Sequence, residues 1–431
     1  MDWLHFLTRS GFLVSQSPLG GSEPGRPATS TPRPKEPAMS SPAPSRARIS
    51  VIGAGPGGLT CARILQRHGI AVTVYDHDTD PAARDQGGSL DLRAEDGQLA
   101  LREAGLLDGF WKLARPEGQE MRRWNAAGIL LNSQVPEEDD LYKPEIDRSQ
   151  LRGLLLDSLE PGTVHWGRAL ESVGGPHDGP RLLRFTDGTT VETDLVIGAD
   201  GAFSKVRPAV SPATPHYSGV TFLEAWFDDV ENRHADLAAM VGRGSGAATD
   251  GERAVFSQRN SGGHMRVYLI RRAPVDWIAA AGLDVGDTDG LRAHLLAEYG
   301  HWSPDMLRMI VDNDGPYVDR PLFVLPAPHT WEHVPTVTLL GDAAHLMPPV
   351  GVGVNLAMLD ACELALALAG ATTVDEGVRA YERTMLPRST EMALALDGAA
   401  DFLLGMGDHV EGEDEFRALE AKLEQRSGRT G

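Results

Sequence analysis

The chain has 431 residues and a formal net charge of −21, enough length for two domains around a large core and a surface that would repel nucleic-acid or anionic-membrane phosphates. Its two cysteines, Cys61 and Cys362, each sit in an apolar helix-like segment, which excludes a disulfide framework or Cys-rich metal site and points to a reducing, cytoplasmic setting. The longest apolar stretches carry Gly, Asp or Glu and fall short of the roughly 18 to 20 residues of a spanning helix, so a small molecule, with neither nucleic acid nor membrane, is the expected partner.

Residues 1–14 superficially resemble a signal peptide, but Asp2 near the start and Arg9 within the apolar run argue against export. Residues 15–48 are crowded with Pro, Ser and Gly and have too few large apolar side chains to offset ordering entropy; 1–48 is therefore expected to be a disordered extension, with Met39 as an alternative start. Ordered structure is predicted to begin with a buried strand at Arg48–Gly53, a helix at Leu59–His68 and a second strand at Gly69–Tyr75, a βαβ unit of about 30 residues.

A helix follows at Leu151–Leu159. A hairpin at Leu182–Asp194 turns on Asp187-Gly188 and feeds the apolar strand Leu195–Ile197. Residues 213–317 form a separate sheet-and-helix block, with strands at Val220–Phe227, Ala254–Gln258 and Met265–Ile270 and helices at Thr288–Tyr299 and Pro304–Val311. Gly242–Gly246 is glycine-rich but follows a helix-like run, so it reads as a loop. Buried-strand character returns at Thr336–Leu340, a long apolar helix starts at Gly353, and residues 392–431 read as a C-terminal helical segment whose Glu413–Arg426 stretch is solvated. No internal repeat occurs.

Three stretches carry chemistry. Gly53-Ala-Gly55-Pro-Gly57-Gly58 lies between a strand and a helix, where its glycines allow a tight turn, backbone approach to a pyrophosphate and close helix packing. The helix start offers free amides to phosphates, and Asp76, closing the second strand 18 residues after Gly58, is placed to accept hydrogen bonds from a ribose. The second stretch is Thr193–Arg207, containing Gly198-Ala-Asp200-Gly201. The third, Gly341-Asp342-Ala-Ala-His345-Leu-Met-Pro-Pro349-Val-Gly-Val-Gly353-Val354-Asn355, puts Asp342 at a strand end and opens a helix whose amides suit a polar ring edge. His345 reads as a residue holding the loop, Arg207 as an ion-pair partner or an anion contact, and Met347 and Met358 as core or pocket lining.

These motifs, in this order over residues 49–391, resemble the FAD-dependent aromatic hydroxylases. Within that family the chain is most similar to the tetracycline-inactivating monooxygenases, through Tyr75–Asp78, Gly87–Leu92, Pro144–Arg148 with Leu151-Arg152, and Gly341–Pro349. The resemblance implies an α/β fold: a discontinuous Rossmann-like FAD-binding domain (49–212 and 318–391), a β-sheet substrate domain (213–317) and a C-terminal helix linking the two, with Leu394–Leu404 the candidate. It implies that Asp76 holds the adenosine ribose, Arg152 contacts the ribityl or phosphate region, Asp342 binds ribityl or phosphate, and Pro349, Gly353, Val354 and Asn355 lie at the isoalloxazine. Asp91 would be a carboxylate near the flavin and Asp200 the aspartate of the Asp-Gly motif.

Chemistry then follows from the cofactor. NADPH or NADH would reduce FAD, dioxygen would form a flavin hydroperoxide, and a polycyclic phenol or enol of tetracycline or aromatic polyketide type would be hydroxylated, with no catalytic side chain or metal required. Three departures stand out: Asp76 in place of the usual Glu, His77 where tetracycline-type enzymes carry an arginine, and a flavin loop one residue short with Val352 in place of Gln. Val352 motivates a second reading, a flavoprotein that sequesters a ligand without hydroxylating it, and a related flavin reductase is a third. Oligomeric state stays open.

Overall fold

The computed structural model describes residues 41–83, 87–396 and 403–404. The expected extension up to residue 40, the Glu413–Arg426 stretch and the middle of Leu394–Leu404 lie outside them. Residues 41–48, expected to be disordered, are instead ordered. Pro44–Arg46 forms a 3₁₀ turn, the Pro42 carbonyl accepts from Val374 N at 2.9 Å, and Ser41 Oγ accepts from Asp375 N at 3.1 Å. The segment thereby satisfies first-turn amides of a later helix, a need that its own composition does not reveal.

Ile49–Ile52 is buried at every position and forms the centre of a five-stranded parallel sheet. Parallel strands covered on both faces read as continuous apolar runs, which is why Ile49–Ile52, Leu195–Gly198 and Val337–Leu339 were legible. Val72–Tyr75 pairs on one side of the central strand and Leu195–Gly198 on the other. This reversal opens a crevice at the carboxyl end of the sheet, where open α/β sheets bind ligands.

The helix Pro56–Arg67 crosses between the first two strands. Behind it packs Gly353–Gly370, an 18-residue helix that, against the expectation from the sequence, is apolar enough by length and composition to cross a bilayer. Its buried Leu356, Met358, Leu364 and Leu368 instead face neighbouring helices, so burial in the protein core accounts for its apolar character. Val374–Ala395 then runs alongside, entered through a capping box in which Thr373 and Glu376 satisfy each other's backbone amides.

A seven-stranded sheet lies beside this core, in the order Val318–Val324, His216–Phe227, Met265–Arg272, Arg253–Arg259, Ser245–Thr249, Met121–Asn125, Leu130–Gln134. The expected block 213–317 is too narrow for it, because two strands come from residues 121–134 and one from 318–324. Ser245-Gly246, expected in a loop, starts a strand: Gly246 pairs with Ser257 and lies so close to Trp124 that a Cβ would meet its ring at 2.5 Å. Alternation splits the sheet into two faces. Leu223, Val255, Val267 and Leu269 pack with the helices Thr288–Glu298 and Pro304–Val311, whereas Phe222, Phe256, Tyr268 and Ile270 face the crevice.

Candidate active site

The three chemical motifs converge at the carboxyl edge of the parallel sheet. Gly53 N donates to Tyr75 O at 2.8 Å, Ala199 N to Ile52 O at 2.8 Å, and Leu340 N to Gly198 O at 2.9 Å, so the fingerprint turn, the Asp-Gly motif and the Gly-Asp motif abut. Arg207 is buried and locks the last two together. Its Nε donates to Ala343 O at 2.8 Å and its Nη2 to Ala202 O at 2.9 Å and Asp342 O at 3.1 Å, which gives it a structural role.

A continuous cavity of ≈ 1640 Å³ runs from this edge to the inner face of the seven-stranded sheet. That exceeds the roughly 300–1,000 Å³ of a site for one drug-sized molecule and leaves room for a long cofactor and a second ligand. Gly53, Gly55 and Gly57 line its first end. A Cβ on Gly55 would meet no protein atom within 4 Å, so backbone there fronts open space as a pyrophosphate cradle requires. Gly58 does not line the cavity; it packs the helix against Gly53.

Asp76 is buried at the strand end, and its two oxygens accept Ala54 N at 2.5 Å and Asp78 N at 2.8 Å. A carboxylate offers about four acceptor positions, so capacity remains toward ribose hydroxyls. His77, with its side chain 63 % exposed, stands between Asp76 and Asp78 at 3.6 and 3.4 Å and borders the same end. Arg168 lines the cavity there too, although no motif announced it.

Farther along, Asp342 lies beside the start of the Gly353 helix, its Oδ1 3.8 Å from where a Gly353 Cβ would sit. Pro349, Gly353 and Val354 line this middle section with Asp91 and Asp200. Asp91 Oδ1 would lie 3.5 Å from a Cβ on Gly351, so that carboxylate borders the glycine-rich turn. Asp200 accepts from Ser204 Oγ and Lys205 N, both at 2.6 Å, and burial raises its pKa against those bonds.

Besides Gly58, two further candidates lie off the cavity wall. Arg152 is 3 % exposed and does not line the cavity; its Nε donates to Ala54 O at 3.0 Å, Nη1 to Pro81 O at 2.7 Å, and Nη2 reaches Asp78 at 3.3 Å. It braces the Asp76 turn from below, whereas Arg148, one helical turn earlier, is among the arginines that reach the cavity wall. Asn355, fully buried, accepts from Arg93 N at 2.9 Å and Gly97 N at 3.3 Å and donates to Asp91 O at 2.8 Å. It ties the flavin-type loop to the Asp91 strand without touching the cavity. Val352 also turns away, packing with Leu356, Met392 and Leu396, so its departure from Gln removes no polar group from the cavity wall.

His345 borders the cavity while its Nε2 meets Asp360 Oδ2 at 2.6 Å. Asp360 has no exposed surface and also accepts from Arg388 Nη2 at 2.6 Å and Gly341 N at 3.0 Å. Burial alone would lower the His345 pKa, but Asp360 outweighs it and holds the imidazole above its ordinary value.

The far end is aromatic and apolar, with Phe222, Phe256, Tyr268, Leu322 and Phe323 around a small polar group. Glu224 there is neutralised by Arg266 and Arg320, and Arg266 stacks over Trp226 at 3.9 Å. Glu145, within the Pro144–Arg148 stretch, is a second acid in the wall. Burial and the charge of Asp91 push its pKa up to about 8 against Ser89, Arg115 and Lys143. No sequence pattern singled it out, because its distinction is burial beside another carboxylate.

The profile of the FAD binding domain family matches residues 46–274 and 332–394. A 3-amino-4-hydroxybenzoate 2-monooxygenase of Streptomyces platensis is 32 % identical over 361 residues, covering 80 % of this chain and 86 % of that protein. The structure of Klebsiella pneumoniae HpxO complexed with FAD and uric acid superposes with a TM-score of 0.69 at 21 % identity, covering 88 % of this chain and 93 % of that one. The tetracycline destructase Tet(51) superposes with a TM-score of 0.67 at 19 % identity, over 89 % of this chain and 98 % of that one. At such identities the structures share a fold.

Proposed function

Because the chain belongs to the FAD binding domain family and is an FAD-dependent monooxygenase, we propose that it hydroxylates a polycyclic phenol or enol of the tetracycline or aromatic polyketide class, using NADPH or NADH. The observation that carries this reading is one cavity joining a dinucleotide cradle to an aromatic sheet face. The residues fit the cofactor. Gly53–Gly57 front open space for a pyrophosphate, Asp76 keeps acceptor capacity for a ribose, and Asp342, Gly353 and Val354 border the stretch that a ribityl chain and ring would occupy.

Bound FAD would supply the redox chemistry, taking a hydride from the nicotinamide and passing one atom of dioxygen to an electron-rich carbon. The protein's contribution is placement. The aromatic wall excludes water and stacks a flat substrate, while Asn355 and the Asp360 network hold the loop against which the ring would rest. With one glycine fingerprint among the described residues, nicotinamide would bind transiently in the same cavity. The buried thiols of Cys61 and Cys362 accord with a cytoplasmic setting.

The test is to incubate the purified protein with FAD, NADPH and a panel of tetracyclines, anthraquinone-type polyketides and 3-amino-4-hydroxybenzoate, and to look for a mass gain of one oxygen. A colourless protein indifferent to FAD, or no oxygenated product, refutes the reading. Gly55→Ala supplies an independent check. Its φ of −81° suits alanine and its Cβ meets no protein atom, so thermal stability should change by less than about 0.5 kcal/mol. FAD affinity should nevertheless fall at least about tenfold, roughly 1.4 kcal/mol, because the methyl enters the cradle. Unchanged FAD titration in that variant would mean that the pyrophosphate lies elsewhere.

A further inference from the structure

Glu145 is a buried carboxyl group in the cavity wall for which the proposed reaction has so far given no use. Its strand, Glu145–Asp147, pairs antiparallel with Ser89–Asp91 in a register that sets Glu145 opposite Asp91. Its backbone is fixed on the other side by two hydrogen bonds to Arg115, 2.7 Å from Arg115 N and 3.2 Å to Arg115 O. The side chain is therefore placed by two segments and has little freedom to swing toward water.

The two carboxyl oxygens differ. Oε2 accepts from the Ser89 hydroxyl and, at 3.5 Å, from Gln258 Nε2 of the substrate sheet. Ser89 Oγ in turn accepts from Arg115 Nη2 at 2.9 Å, which directs the serine proton toward Glu145. Oε1 has no hydrogen-bond partner among the described residues, yet the residue lines the cavity beside Gln258 and Tyr268. One oxygen is thus anchored and the other is left for a ligand.

We infer that Glu145 is the catalytic base of the reaction, with Oε1 taking the proton of the substrate's phenolic or enolic hydroxyl. This rests on the substrate class proposed above. The substrate O–H bond breaks, its electron pair stays on oxygen and enriches the conjugated carbon that is to be oxygenated, and the proton passes to Glu145. After oxygen insertion the same proton returns to that oxygen as product leaves, so the group ends each cycle as it began.

The surroundings fit a group that must both take and return a proton near neutrality. Desolvation and Asp91 favour the protonated acid, whereas Ser89, Arg115 and Lys143 favour the carboxylate; Gln258, a neutral amide, and Tyr268 line the cavity beside it from the substrate sheet. Asp147, next but one along the strand, is occupied by Arg115 at 2.8 Å.

Glu145→Gln keeps the shape and the Ser89 contact and removes the base. In the FAD-loaded variant, kcat toward a panel compound that the wild type oxygenates should fall about 10²–10⁴-fold with KM little changed. The wild-type rise in rate with pH through about 8 should vanish, and Glu145→Asp should restore part of kcat. Infrared difference spectra of the wild-type holoenzyme should show a protonated-carboxyl band at neutral pH that disappears as pH rises and is missing from Glu145→Gln. Wild-type kcat and pH profile in Glu145→Gln, or no such band in the wild type, overturns the inference and leaves the monooxygenase reading intact. A wild-type holoenzyme that oxygenates no compound of the panel overturns the substrate class, and the inference with it.

Discussion

Asp360→Asn is expected to destabilise the protein by about 3–5 kcal/mol, the cost of removing one member of a fully buried charge cluster. Asp360 accepts from His345, Arg388 and the Gly341 amide, so its charge offsets two buried cations. With asparagine in its place, Arg388 keeps Glu363, but the imidazole loses the partner that holds its proton. Chemical denaturation of the two proteins at neutral pH measures the difference; a loss under about 1 kcal/mol would mean that the cluster does not carry buried charge.

The same cluster predicts a pH dependence with a definite sign. His345 is raised above its ordinary 6.5, so its contribution is complete below that value and is lost as pH rises through the elevated one. Asp360 is depressed below 3.8 because His345, Arg388 and the Gly341 amide outweigh its burial, so its contribution is complete above that value and is lost as pH falls through the depressed one. The network is therefore worth most between about pH 4 and 6.5, and wild-type stability should decline on both sides more steeply than that of Asp360→Asn. Parallel pH curves for the two proteins would contradict the assignment. Function is linked because His345 and Gly341 belong to the cavity edge, so the variant should also bind FAD more weakly.

Gly58→Val should be the other severe change. A Cβ there would lie 2.1 Å from the Gly53 carbonyl oxygen and 3.2 Å from Ala199 Cβ, and the nearer obstacle is backbone at φ +108° in the fingerprint turn. Neither side can yield by rotating a side chain, so helix Pro56–Arg67 must move off the sheet. We expect a stability loss of about 3 kcal/mol or more, at the upper end for overpacking, and purified protein nearly devoid of FAD. The contrast with Gly55→Ala is diagnostic: one substitution spoils the cradle by moving the helix, the other by entering the space in front of it. FAD absorbance and thermal melts of both variants separate the two effects. A Gly58→Val protein with wild-type melting and FAD content would show that the helix approach is not obligatory.

Much of the frame was legible in the residues. The runs Ile49–Ile52, Leu195–Gly198 and Val337–Leu339, the glycine turn and Asp76 carry signals set by their nearest neighbours in sequence, namely period, positive φ and strand-end position. The sheet face was only half legible: strands were expected at Val220–Phe227, Ala254–Gln258 and Met265–Ile270, but nothing local indicated that Met121–Asn125, Leu130–Gln134 and Val318–Val324 would join them. Asn355 was named for its place in the loop motif, and its clamp on Arg93 and Gly97 appears only when segments more than 250 residues apart meet.

By itself, then, the sequence determined where the glycine turn and the buried strands would lie, because turns, caps and buried strands depend on chemistry within a few residues of chain, while the class of cofactor came from the likeness of three motifs to a family that the profile match bears out. Tertiary structure alone decided which charged groups face the cavity and in what state. Arg148 lines the wall while Arg152 braces a turn, and Glu145 becomes a weak acid beside Asp91 while Asp360 becomes a strong one beside Arg388 and His345. The physical reason is that burial and the nearest opposite charge set a side chain's ionisation and reach, and both come from residues far away along the chain.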